Sequence, residues 1–448
     1  MLARVTQSVR AAAWARALSV AVAEAVPGER KVAVEFDDGF AAQYDYAWLR
    51  DNCMCDACMD AASGQKNMCA YDYNAPALEV TNVRPGAALE VAWAPTPLPP
   101  WLGGRSNAAL ASSYPPMGMV VDEASPDGWS IAAHTSRLDA EWLYEHAYAP
   151  PPPPAVCHEP PTTTWNAADL AAAGGVVELD YASYLDSDDV LYDALSSLSD
   201  RGLIMLKNVP AERGPVEAVA QRIAYIKETM YGRLFDVEST PEAANVANTS
   251  ISLAPHMDLC YYESPPGLQL LHAITTEATG GVSGFVDGFR VLEDLRAAAP
   301  DAVELLSSVP LTFHYRRDGQ FMRFRRPLIE AASHNEPVAF NWSPQFEGPP
   351  RLDLRTASAK PDFELNADAF YSAYGLFAAM VRDPAYLYEF RMESGDMVVF
   401  LNRRVLHART EFDAASGPRL LQGTYVNMDD FRSKLRAMKL ARTTLGES

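Results

Sequence analysis

The apolar residues of this 448-residue chain fall into short runs of strand length bounded by turn residues, and this restricts the fold more than any other feature. "GLIMLKNV" (202–209), "LQLLHAI" (268–274), "VPLTFHY" (309–315) and "DMVVFLN" (396–402) are too short for stable helices and read as buried strands. Helical spacing appears in few places. "PVEAVAQRIAYIKETMYG" carries Val216, Val219, Ala220, Ile223 and Ile226 on one stripe behind a proline, and further helices are expected near 290–298 and 366–382. Many strands with few helices predict a mainly β fold, a sandwich or jelly roll with flanking helices.

The length exceeds one ordinary core. Five prolines at 150–154, followed by "EPPTTTW", read as a semi-rigid linker over 150–174. It separates a β-rich N-terminal module (28–149), with a Pro/Gly/Ser-rich surface insertion near 94–128, from a second domain at 175–440. The first 23 residues hold Arg4, Arg10 and Arg16 and no acid, the composition of a targeting segment (1–27) or of an ordinary basic helix. Mitochondrial or cytoplasmic residence is the expectation. No run of 18 apolar residues exists, so no membrane-spanning helix is expected. A formal net charge of −21 argues against nucleic acid and anionic lipid and favours a cationic small molecule, bound by a monomer or a homodimer.

Six cysteines are too few for a disulfide scaffold, and a reducing compartment follows. Three of them crowd into "LRDNCMCDACMD". Cys53, Cys55 and Cys58 can turn three thiolates to one centre, and tetrahedral zinc needs a fourth ligand, Cys69 or a distant histidine.

A second constellation starts at "SLAPHMDLCYYESPPGLQLLH". His256 and Asp258, at i and i+2 ahead of an apolar strand, share a face in extended chain. Far downstream, "DMVVFLNRRVLHARTEFDAASGPRLLQGTY" supplies His407 and, twelve residues later, Arg419. Two imidazoles and one carboxylate bind Fe(II) on one face and leave the opposite positions open. A co-substrate dicarboxylate needs a clamp at its far end, which the planar Arg419 guanidinium provides bidentately. Zinc would accept the same three ligands, so a zinc hydrolase is an alternative on spacing alone.

The segments "HMDLCYYESPPGLQLLH", "TGGVSGFVDGF", "LNRRVLHAR" and "YAWLRDNCMCDAC" resemble the trimethyllysine and γ-butyrobetaine dioxygenases of carnitine biosynthesis. The resemblance covers most of 200–440 and the N-terminal cysteine segment. It implies a double-stranded β-helix using Fe(II), 2-oxoglutarate and O2, stimulated by ascorbate, with His256, Asp258 and His407 on iron. It further implies Arg419 and Ser283 on 2-oxoglutarate with Arg409 close by, and a structural Zn(II) held by Cys53, Cys55, Cys58 and His134 of "HTSRLDAEWL".

A trimethylammonium group has no N–H to donate and is bound by aromatic faces. Tyr231 and Phe235 match the family's cage, Tyr261 and Tyr262 are further candidates, and Asn245, Asn341 and Tyr425 match positions lining the butyrobetaine pocket. Asn248 and Leu259 stand where animal butyrobetaine enzymes carry tyrosines. Trimethyllysine enzymes carry an acid in place of Asn245, so the amide favours hydroxylation of γ-butyrobetaine to carnitine. The alternatives are trimethyllysine or another quaternary ammonium acid, and a non-catalytic scaffold built on the zinc module.

Overall fold

The computed structural model describes residues 18–26, 28–59, 65–66, 74–97, 119–121, 129–148, 162–238, 250–317, 319–331, 337–350 and 367–444. The chain divides into two compact units between His158 and Glu159.

The first unit opens with an antiparallel sheet of β1 (Val20–Val26), β2 (Lys31–Phe36) and β3 (Ala41–Asp45), leading into helix α1 (Tyr46–Asp51). A second sheet pairs β4 (Val80–Arg84), β5 (Ala88–Trp93) and β6 (His134–Asp139) in that order. Alternate residues turn inward as the strand period demands: Val32, Val34 and Phe36 on β2 and Leu89, Val91 and Trp93 on β5 share a core with Leu49, Cys53, Cys58 and Leu138. Helix α2 (Ala140–Glu145) follows β6, its first turn capped by Asp139, which accepts from the N–H groups of Glu141 and Trp142. Within the expected insertion, pieces at 96–97, 119–121 and 129–131 pair into a small ladder; 98–118 and 122–128 lie outside the described residues, as do Cys69 and residues 1–17.

Residues 162–174, expected in the linker, belong to the second unit. Trp165 is buried, and Asn166 and Asp169 close a capping box on helix α3 (Ala167–Ala172). Strands β7 (Val177–Asp180) and β8 (Leu203–Lys207) flank helix α4 (Asp188–Arg201). Helix α5 (Pro215–Ile223) stops short of the expected stripe because Ala224 is extended and Ile226 bridges to Val426. Then come β9 (Phe235–Glu238), β10 (Leu253–His256), β11 (Leu268–Thr276), β12 (Ser283–Asp287), helices α6 (Gly288–Ala298) and α7 (Pro300–Ser308), and the hairpin β13 (Pro310–Arg317) and β14 (Gln320–Pro327). Helix α8 (Ala367–Val381), β15 (Tyr388–Phe390), β16 (Met397–Leu401), β17 (Val405–Arg409), β18 (Arg419–Val426) and helix α9 (Met428–Thr444) complete it.

Two sheets organise this unit: a large one in the order β7-β8-β16-β11-β18-β9 and a small one in the order β10-β17-β12-β15. Leu203, Met205, Ala273, Val398, Phe400 and Leu421 of the large sheet form one core with Phe285 and Val405 of the small one, so the sheets face each other in a jelly roll. The outer face of the large sheet packs on α4, α5 and α9. Burial on both faces explains why β11 and β16 read as continuous apolar runs. Among the described residues no helix is long and apolar enough to cross a membrane.

Candidate active site and metal centres

Strand β10 ends at His256, whose register partner across the antiparallel pair is His407 of β17. Their ring centroids lie 4.2 Å apart. Nε2 of His256 is 3.6 Å and Nε2 of His407 is 4.0 Å from Oδ1 of Asp258, and one ligand atom from each residue lies within 4.8 Å of the others. Nδ1 of His256 sits 2.9 Å from the Ala254 carbonyl, which can only accept, so Nδ1 carries a hydrogen and Nε2 is the nitrogen turned toward Asp258. Burial, and then repulsion by His256, pushes the His407 ring down to about 3, so it is neutral and able to coordinate. The donor set fits one divalent ion bound on one face.

Asp258 is held from several directions. Its N–H donates to Asn402 Oδ1 at 2.9 Å, and Asn402 Nδ2 donates to the carbonyls of Asp258 and Pro266, each at 3.1 Å. The Tyr425 hydroxyl donates to Asp258 Oδ2 at 2.7 Å, leaving Oδ1 toward the imidazoles. The next residue, Leu259, has φ +60°, a left-handed conformation costing about 1–2 kcal/mol that its buried side chain and the Asn402 clamp sustain.

The same cavity is also lined by Ser283, Arg409 and Arg419. Register explains two of them: Ser283 pairs with Arg409 just as Phe285 pairs with His407. The guanidinium carbons of Arg409 and Arg419 stand 4.8 and 5.3 Å from the centre of one ring, Phe412. Burial, then the charges of Arg409 and Arg391, lowers Arg419 to about 10, still cationic at neutral pH. Gly281, at φ +66°, gives Arg419 its room, because a Cβ there would stand 3.0 Å from Nε. Cations with this little competing solvent suit a carboxylate.

Aromatic rings form a third wall. Tyr231 sits in a turn and Phe235 opens β9, so their spacing of four is not helical. Phe235 stacks on Tyr425 at 5.0 Å, Tyr231 and Tyr261 bring their hydroxyls to 3.2 Å, and Tyr261 meets Phe346 edge-on at 5.1 Å. Phe346, in a short turn after Pro344, carried no sequence signal. Neither did Gln269 of β11, which lines the same cavity. Tyr262 does not line it; its hydroxyl accepts the N–H of Met230. Asn341, expected in the substrate pocket, is fully buried elsewhere: its amide donates to the Pro327 carbonyl and to Glu330, a carboxylate already paired with Arg326 and Arg403. Asn245 and Asn248 lie outside the described residues.

In the first unit, Nε2 of His134 lies 3.3, 3.7 and 3.6 Å from the sulfurs of Cys53, Cys55 and Cys58. Zinc–sulfur and zinc–nitrogen bonds of ordinary length at a tetrahedral angle put such edges at about 3.5 Å. The Cys58 thiol hydrogen-bonds to Cys53 and, against the opposing effect of burial, holds the Cys53 thiol well below its usual range; His134 adds to this. The set could hold zinc with no open position.

A family model described as taurine catabolism dioxygenase TauD, TfdA family matches residues 159–425, and one described as gamma-butyrobetaine hydroxylase-like, N-terminal matches residues 24–95. The chain is 32% identical over 409 residues to the gamma-butyrobetaine dioxygenase of Pseudomonas sp. (strain AK-1), covering 91% of this chain and 94% of that protein. It is 28% identical to dioxygenase str8 of Strobilurus tenacellus, over 89% of this chain and 85% of the relative, and 26% identical to the trimethyllysine dioxygenase of Meyerozyma guilliermondii, over 92% and 94%. A match spanning more than half of the chain and a relative aligned along nearly all of it place this protein in the TauD/TfdA family of 2-oxoglutarate-dependent dioxygenases, with the γ-butyrobetaine and trimethyllysine enzymes.

Proposed function

We propose that this dioxygenase hydroxylates γ-butyrobetaine at the carbon β to its carboxylate, giving carnitine. The observation that carries the proposal is the ring cluster of Tyr231, Phe235, Tyr261, Phe346 and Tyr425 in the same cavity as His256, Asp258 and His407. Each aromatic face toward a quaternary ammonium contributes about 0.5–2 kcal/mol, and no hydrogen-bond donor on the ligand is required. The excess of acids over the whole chain adds long-range attraction for a cation. A relative bearing the γ-butyrobetaine name, 32% identical, and an amide at Asn245 support this substrate over trimethyllysine.

In this reading His256, Asp258 and His407 hold Fe(II). Arg419, assisted by Ser283 and Arg409, holds the far carboxylate of 2-oxoglutarate. Ferrous iron, 2-oxoglutarate and O2 together supply an oxidant that inserts oxygen into a C–H bond as 2-oxoglutarate becomes succinate and CO2. The chain supplies position: the rings fix the ammonium, the arginines fix the co-substrate, and Leu253, Leu271, Val398 and Leu421 keep the intervening space dry. Tyr425 keeps its proton, because burial and then Asp258 push its pKa far up, and so remains a donor to the carboxylate. We also assign a structural zinc to Cys53, Cys55, Cys58 and His134.

Anaerobic loading with Fe(II) and 2-oxoglutarate, followed by O2 and ascorbate, should release succinate in step with added γ-butyrobetaine, and far less with trimethyllysine. Turnover on trimethyllysine alone would move the substrate to that compound.

A further inference from the structure

We propose that Gln269 binds 2-oxoglutarate, its side-chain amide donating a hydrogen bond to the carboxylate next to the keto group. The inference rests on the family's use of 2-oxoglutarate and concerns a residue to which nothing above gives a role.

Gln269 is 2% exposed, lines the cavity that holds His256, Asp258 and His407, and has a side-chain oxygen with no hydrogen-bond partner among the described residues. It sits in the middle of β11, with Phe400 as its register partner on one side and Tyr425 on the other. Both neighbours lead to the metal ligands: the Phe400 ring stands 5.1 Å from that of His407, and the Tyr425 hydroxyl bonds Asp258. The amide therefore lies on the cavity wall beneath the triad, away from the arginines, among Leu271, Val398 and Phe400.

A buried amide in apolar surroundings persists at a cost unless something meets it. Among the described residues no side chain meets either end, and the accessible NH2 is left for a ligand. The betaine and 2-oxoglutarate offer almost only acceptors, so the useful end of the amide is its NH2. As placed, the amide encloses its oxygen and leaves its NH2 as the end open to the cavity. The arginines occupy the far end of the co-substrate, and an amide at the metal end meets the other carboxylate. A neutral donor is the appropriate choice there, because a further cation beside the metal ion would repel it.

The test is calorimetric titration of 2-oxoglutarate into anaerobic Mn(II)-loaded protein, with Mn(II) affinity measured separately. Gln269→Leu should raise the 2-oxoglutarate Kd roughly tenfold or more, as loss of a hydrogen bond to a charged group does, and Gln269→Glu should raise it further through repulsion. Mn(II) affinity should stay within about twofold. Gln269→Leu should melt no lower than the parent, because its apolar side chain replaces an unmet carbonyl. If the leucine variant fails to fold, the near-isosteric Gln269→Glu decides. Variants that bind 2-oxoglutarate as tightly as the parent overturn the assignment alone. A parent that does not bind 2-oxoglutarate overturns the co-substrate itself and the assignment with it.

Discussion

The hydroxyl of Tyr425 decides which oxygen of Asp258 faces the two imidazoles, and its ring at the same time stacks on Phe235. Removing only the hydroxyl separates the two roles. Tyr425→Phe should weaken Fe(II) binding about tenfold or more, the usual effect of losing a partner of a metal-ligating carboxylate, while the KM for the proposed substrate, γ-butyrobetaine, changes much less. Metal titration beside steady-state kinetics measures both, and an unchanged metal affinity would refute the positioning role. The sequence placed Tyr425 in the pocket but gave no hint of the bond to Asp258, since 167 residues separate the two and only the pairing of β18 with β11 brings them together. His272, one strand away, raises a pH question. It is fully buried, neither ring nitrogen has a partner among the described residues, and burial pushes its pKa down to about 4. Unfolded, it would titrate near 6.5, so below that pH the unfolded chain binds a proton that the native state refuses. Its contribution to stability is therefore complete above pH 6.5 and falls by about 3 kcal/mol as pH drops to 4. His272→Leu should flatten that part of the stability–pH curve in urea titrations at pH 7, 5.5 and 4.5.

The strands most legible in the sequence are those buried on both faces, such as β11 and β16, because double-sided burial leaves an unbroken apolar run. Register was not legible, and register is what sets His256 opposite His407 and Ser283 opposite Arg409. Helix α5 was overextended for a related reason: Ile226 fits a helical stripe but is claimed by Val426 of β18. The linker was overextended because Trp165 is tied down by partners distant in sequence. Its N–H donates to Asp287 and its indole to the Arg201 carbonyl. Asp287 is itself the hub of this corner, since it caps α6 and takes two bonds from Arg404, at 3.0 and 2.8 Å, with the pair only 0–2% exposed. Arg404 gives two further donors to the carbonyls of Asp200 and Thr163. Arg404→Ala should cost about 3–5 kcal/mol in urea unfolding, because it strands a buried carboxylate, and adding Asp287→Asn should cost less than the sum of the two single changes. Additive losses would show that the pair is not coupled.

Among the described residues the molecule carries two metal-ligand sets of opposite design, both visible in the sequence as residue types and completed only by folding. His134 reaches the cysteines because β6 pairs with β5, a connection that crosses the Pro-rich insertion and that spacing alone could not supply. The set of three sulfurs and one nitrogen would close a tetrahedron around a metal ion and includes the buried Cys53 and Cys58, whereas the two imidazoles and one carboxylate would leave coordination positions open to a cavity. Openness and softness of ligands should therefore govern release. Brief treatment with EDTA should strip the open site first, and Fe(II) should restore activity that Zn(II) does not, with about one zinc per chain retained throughout. Cys58→Ser exchanges one thiolate for a poor ligand. It should lose that zinc and lower the melting temperature of the first unit, because metal held only by the folded form is folding free energy. Metal analysis of the variant gives a direct answer: a full zinc complement in Cys58→Ser, or zinc lost as readily as iron from the parent, would remove zinc from this set of ligands.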